Sequence, residues 1–97
     1  MKSTRIFRAL GDTTRREILQ ALRGRELPAG EISALFSISA PAVSRHLSIL
    51  KAAELVIERR EGNRIIYRLD PDSLATCLNE FISAVCPTRI FHRKTRK

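Results

Sequence analysis

The chain of 97 residues has no tryptophan, one tyrosine and four phenylalanines. That scarcity excludes an aromatic stacking platform for single-stranded nucleic acid. Two cysteines, Cys77 and Cys86, are too few for a disulfide framework. If one helix carries both, they sit about 13 Å apart along its axis and on opposite faces, which excludes a bridge within the chain. No stretch approaches the ~20 apolar residues that a membrane span needs. The opening MKSTRIFRALGD is charged and amphipathic, unlike a secretory signal. A soluble cytoplasmic protein with no membrane partner is expected. Acidic residues are also in deficit, ten against eighteen Lys and Arg, for a net charge of +8.

Fourteen of those eighteen bases are arginine, whose planar fork suits phosphates and guanine edges. Five of the eighteen bases, Arg89, Arg93, Lys94, Arg96 and Lys97, crowd the last ten residues, and removing them leaves +3 for the body. A polyanion partner is favoured, with the tail as a flexible electrostatic accessory. The chain shows no internal repeat and no linker, so residues 1–87 are expected to form one domain and 88–97 a basic tail.

Hydrophobic periodicity orders the elements. Ile6, Phe7 and Leu10 share helical spacing over residues 3–10; Gly11 stops that helix and Asp12 caps the next. TTRREILQALRG places Ile18, Leu19 and Leu22 on one face, with Gly24 closing the helix. ELPAGEISALF predicts a helix from Pro28 with Ile32, Leu35 and Phe36 inward. After a three-residue break, Ser39 caps a helix to about Ala53, with Pro41 in its first turn and Val43, Leu47 and Leu50 inward. LVIERREGNRIIYRL then predicts a two-stranded hairpin turning at Glu61-Gly62-Asn63. Asp70 and Pro71 open a last helix, ended by Pro87, in which Leu74, Leu78, Phe81, Ile82 and Val85 form one stripe. The fold class is mainly α with a small β-hairpin, and the proportions are those of a helix-turn-helix followed by a wing.

Ser44 and His46 suggest a nucleophile and its base. Residues i and i+2 on a helix point about 200° apart, so these side chains cannot meet. No Gly-x-Ser-x-Gly elbow is present and no carboxylate within the block orients His46. The protein is not expected to be an enzyme.

FRALGDTTRREILQAL, AGEISALFSISAPAVSRHLSILKAAELV and RREGNRIIYRL, in that order, resemble the blocks of the arsenic-repressor-like (ArsR/SmtB-type) winged-helix regulators over roughly residues 5 to 85. Thr13 departs from the family pattern, which usually has Pro after the capping Asp. The resemblance implies a homodimeric repressor whose first and last helices form the dimer interface, here through Ile6, Phe7, Leu10, Leu74, Leu78, Phe81, Ile82 and Val85. It also implies that the helix over Ser39–Ala53 enters the DNA major groove. Family metal sites do not carry over. PAGEIS stands where one class has thiolates, and Pro71, Ser73, Ala84 and Pro87 stand where another has carboxylate and His ligands. Neither a metal nor another cofactor is expected, and the sequence does not name an effector.

Setting aside the inward face of that helix leaves Ala40, Pro41, Ser44, Arg45 and Ser48 outward, with His46 at the margin. Short side chains let the backbone approach base edges, and Arg45 can reach guanine O6 and N7. Ser44 can bond a base or a phosphate, and Ser39 with the helix N-terminus favours a phosphate. On the wing the arginines can clamp phosphates or the minor groove, and Arg64, beside the turn, is the best placed. Some of Arg59, Arg60 and Arg68 must instead pair with Glu58 or Glu61, while Arg15 and Arg16 stand equally between solvent and a partner. Cys77 is expected in the core and Cys86, near basic residues, is the candidate reactive thiol. The main expectation is a repressor of double-stranded DNA on an inverted-repeat operator. A thiol-responsive regulator using Cys86, and a winged-helix module for protein or RNA, are the alternatives.

Overall fold

The computed structural model describes residues 2–86, so the basic tail and the stop expected at Pro87 lie outside the described residues. Among those residues the order is α1 (Lys2–Leu10), α2 (Thr13–Ala21), β1 (Leu27–Pro28), α3 (Ala29–Phe36), α4 (Ala40–Ala52), β2 (Val56–Glu61), β3 (Arg64–Leu69) and α5 (Pro71–Val85). α3, a three-residue turn and α4 form the helix-turn-helix, and the sheet forms the wing.

Side-chain caps start three of the helices. Asp12 Oδ2 accepts the Arg15 N–H at 3.0 Å, Ser39 Oγ that of Ala42 at 3.2 Å, and Asp70 Oδ1 that of Ser73 at 3.4 Å. Each satisfies an N–H that the helix itself leaves unpaired. α2 ends at Ala21, earlier than the glycine suggests. The Arg23 N–H reaches back only to Gln20 O (3.2 Å), so the last turn tightens and Gly24, at φ 72°, lies in the turn beyond. α3 ends on Ser37 in the left-handed region at φ 54°, and the Ile38 N–H returns to Ser33 O at 3.3 Å.

The wing has three strands, in the order β1-β3-β2, where two were expected. Leu27 pairs with Tyr67 and Pro28 with Ile66, both antiparallel. Pro28 lacks a donor but is tolerated here because β1 is an edge strand. Because residues 27 and 28 belong to the sheet, α3 begins one residue later than expected, at Ala29. The hairpin turn is Gly62-Asn63, flanked by the pair Glu61 and Arg64. Gly62 has φ 63° and Asn63 is not among the positive-φ residues, the pattern of a two-residue II′ turn with Gly in first place.

The core joins all layers. Ile6, Ala9, Ile18, Leu22, Ile32, Val43, Leu47, Leu50 and Leu55 are buried, with Tyr67 and Cys77 closing the cluster from the sheet and α5. Each fully buried aliphatic side chain contributes about 1.5–3 kcal/mol relative to exposure. Two expectations are corrected. Leu35 is 53% exposed: Ile32 and Phe36 define the inward row of α3, and Leu35 is turned about 100° away from Phe36. Ile6, expected at the dimer interface, is fully buried within the protomer's own core.

Candidate nucleic-acid interface

Ser39, Ala40, Pro41, Ser44, Arg45 and Ser48 all lie on the exposed side of α4. The reason is local: Val43, Leu47 and Leu50 are buried, and the stripe they form turns the opposite side to solvent. Among the described residues no hydrogen bond or ion pair engages Arg45, so its five donors remain available. Ser39 Oγ is occupied by the cap to Ala42.

Ser44 and Arg64 open onto one cleft of about 570 Å³, walled by the start of α3, by α4 and by the wing. Val43, Leu47 and Ile65 contribute apolar surface to it, with Glu31 and Asn63 also present. The structure thus brings two residues from the helix and the wing, about twenty positions apart, to one cleft.

His46 is turned elsewhere. Its Nδ1 lies 3.4 Å from Arg15 Nη1 and 3.9 Å from Asp12 Oδ2, with its side chain 19% exposed. It faces the α1–α2 corner, in keeping with a place at the margin of the outward set rather than in it. Asp12 is held below the usual carboxylate range, mainly by the Arg15 backbone N–H that it accepts and further by the positive charge of the Arg15 side chain. Arg15 and Arg16 are neither simply solvated nor free. Arg15 Nε donates to Ala9 O at 2.8 Å and Nη2 to Arg8 O at 3.1 Å, while Arg16 Nη1 donates to Leu10 O at 2.6 Å. The Ala9 and Leu10 carbonyls are ones a helix end leaves unpaired, Arg8 O accepts the Gly11 N–H at 3.1 Å as well, and cations at this end interact favourably with the helix dipole. The available signal was the two-residue corner Gly11-Asp12 followed by basic residues in the next first turn.

The wing arginines are partly neutralised by acids. Arg59 bonds Glu26 at 2.8 Å and Glu61 at 3.2 Å, and Arg64 bonds Glu61 at 3.2 Å. The hydrogen bond from Arg59, followed by that from Arg64, holds Glu61 below its ordinary pKa. Strand alternation and register put Arg59, Glu61, Arg64 and Arg68 on one face and Arg60 on the other. Glu58 instead meets Lys51 from the end of α4 at 2.7 Å, the main cause of its lowered pKa. Burial and the neighbouring Glu58 raise that of Tyr67.

At the α1–α5 face, Phe7, Phe81 and Val85 are 38%, 50% and 59% exposed. The Phe7 and Phe81 rings meet edge to face with centroids 5.1 Å apart. Leu10 and Leu74 pack against the protomer core, and Leu78 and Ile82 are half-buried. Cys77 is buried; Cys86 is exposed and caps α5, its N–H bonding Ile82 O at 2.8 Å. Among the described residues no group of three His, Cys, Asp or Glu is arranged to hold a metal, and no helix is long and apolar enough to cross a membrane.

Comparison with known proteins places this geometry among its relatives. The family described as "Bacterial regulatory protein, arsR family" matches residues 12–58. The transcriptional repressor SdpR of Bacillus subtilis is 40% identical over 80 residues, covering 82% of this chain and 89% of that protein. The HTH-type transcriptional regulator Rv2034 of Mycobacterium tuberculosis is 46% identical over 71 residues, covering 73% of this chain and 66% of that one. The solution structure of the homodimeric winged helix-turn-helix DNA-binding domain of a possible ArsR-family regulator from Mycobacterium bovis superposes with a TM-score of 0.72 at 28% identity. It covers 86% of this chain and 78% of that chain.

Proposed function

Because the chain belongs to the arsR family of bacterial regulatory proteins, we propose that it is a cytoplasmic, homodimeric transcriptional repressor of double-stranded DNA. Its operator is an inverted repeat. Residues 1–87 serve as the DNA-binding and dimerisation domain, and 88–97 add a basic tail. The observation that carries this reading is the exposed face of α4, where unengaged Arg45 stands next to Ser44 at the mouth of the cleft shared with Arg64.

In each half-site α4 enters the major groove by its N-terminal end, where Ala40 and Pro41 keep the approach short. Arg45 reads guanine through O6 and N7, and Ser44 bonds a base edge or phosphate. Arg64 extends from the wing to the phosphate backbone. Two such helices, related by the twofold axis, contact half-sites about one helical turn apart. Occupying a promoter in this way excludes polymerase.

Footprinting on the protein's own promoter, with wild type and Arg45→Ala, tests the reading. A palindromic protected site is expected. The substitution should cost about 1–3 kcal/mol on that site while leaving most binding to unrelated duplex intact. Unchanged discrimination would remove Arg45 from the reading face; absence of any palindromic footprint would remove the function.

Glu61 bears on the same surface, because DNA must compete with it for Arg64 and Arg59. Its lowered pKa keeps it ionised throughout the neutral range, so the competition is always present. Glu61→Gln is therefore expected to tighten binding about two- to fivefold at low salt, with a log–log salt slope steeper by up to about one unit. Salt titrations by fluorescence anisotropy check this; weaker or unchanged binding contradicts a DNA role for those arginines.

A further inference from the structure

α4 reaches the α1–α2 corner through one guanidinium. Arg15 lays its side edge, Nε and Nη2, on two successive carbonyls of α1, those of Ala9 and Arg8. The planar fork then has one place left for Nη1, toward His46 Nδ1 in the middle of α4. The donor is fixed by two bonds at its base, so the third direction is not free to wander. A neutral His46 protonated on Nε2 presents Nδ1 as the acceptor. Asp12 completes the corner, taking the Arg15 backbone N–H and standing 3.9 Å from the same ring nitrogen.

The place of His46 on α4 gives this contact its consequence. Val43, Leu47 and Leu50 form one apolar row, which fixes the depth of the helix but resists rotation about its own axis weakly, since such packing is non-directional. His46 stands about 60° round from Val43, at the edge of that row. A directional contact there opposes the rotation that apolar packing tolerates. Across a twofold axis any rotation of α4 relative to α1 occurs in both protomers, carries Arg45 around each helix axis, and so alters the separation of the two reading side chains.

We propose that Arg15 is a positioning residue for DNA reading: through His46 it fixes α4 relative to α1 and so sets the half-site spacing that the dimer accepts. This rests on the dimeric DNA-binding function proposed above. It assigns Arg15 no contact with a base and makes His46 a link inside the protomer.

The test uses the full chain on three duplexes carrying the footprinted half-sites at native spacing, one base pair closer and one base pair farther. Wild type is compared with His46→Leu, which removes the acceptor, His46→Asn, which offers an oxygen near the position of Nδ1, and Arg15→Lys. Sedimentation and thermal melting follow dimer and fold. His46→Leu is expected to lose about tenfold affinity at native spacing, the scale of one hydrogen bond to a charged group. Loss on the altered duplexes should be slight, so the spacing preference flattens. His46→Asn should recover most of it. Arg15→Lys should flatten it likewise, and its combination with His46→Leu should add little, since both break one link.

Equal loss on all three duplexes would identify His46 as a DNA contact or a general stabiliser and overturn the proposal. So would an unchanged spacing preference, or His46→Asn behaving as His46→Leu. If Arg15→Lys fails to fold, the two His46 variants, which leave the α1 carbonyls held, decide the matter. Failure of wild type to protect any palindrome defeats the proposed function itself and is seen before a variant is made.

Discussion

Phe81→Asp is expected to yield a folded monomer that no longer holds its operator at concentrations where wild type does. Phe81 is half exposed on α5, meets Phe7 of α1 edge to face, and has exposed Val85 one turn further along. A twofold interface uses the residue twice, and each buried copy contributes about 1.5–3 kcal/mol of apolar transfer. A carboxylate in its place must also be desolvated for the dimer to form. The dimer dissociation constant should therefore rise at least about 100-fold. Losing simultaneous engagement of two half-sites removes a further advantage of about 10²–10⁴ in operator affinity. Sedimentation velocity and operator titration check both effects. A variant that remains dimeric moves the interface away from this face.

Ile6→Ala should act by a different route, although Ile6 is the residue before Phe7 on the same helix. Ile6 has no exposed surface, and its neighbours are those of the protomer core. Removing its buried methyl groups should cost about 2–5 kcal/mol, a large share of the 5–15 kcal/mol that holds a domain together. For a chain of this size that lowers the melting temperature by roughly 10–30 °C. The fraction still folded at low temperature should dimerise and bind. Urea melts should show a lower midpoint with little change in slope, and a dimerisation defect without loss of stability would contradict the placement. Adjacent positions thus separate stability from assembly.

What the sequence made legible follows from the range of the forces involved. Asp12, Ser39 and Asp70 were readable as caps because a cap acts over three residues, and the Val43–Leu47–Leu50 row because one helix suffices to define it. Gly62 marked its turn for the same reason. The outward side of α4 came as the complement of that row. β1 was not legible: its two residues pair with the middle of β3, about forty positions away, and Pro28 by itself argues for a helix start. Leu35 and Ile6 had helical spacing that fitted both sides of the interior boundary, and the neighbouring helices decided between them. Arg15 and His46, far apart in sequence, acquire their roles only after the corner at Gly11-Asp12 brings α1 carbonyls and α4 to one guanidinium.

The pairing of β1 with β3 also bears on the order in which the chain folds. The β2–β3 hairpin closes across two residues and each helix closes on itself, but Leu27 meets Tyr67 across about forty residues that include the helix-turn-helix. Local elements should therefore form on microsecond scales, about 1–10 µs for a hairpin, ahead of that ring closure. The cleft between Ser44 and Arg64 exists only once the ring is shut, so a partly folded chain would carry the arginines without the shape that presents them. Competence to choose a DNA sequence is expected to arrive with the last step of folding, whereas simple attraction to DNA is present from the first.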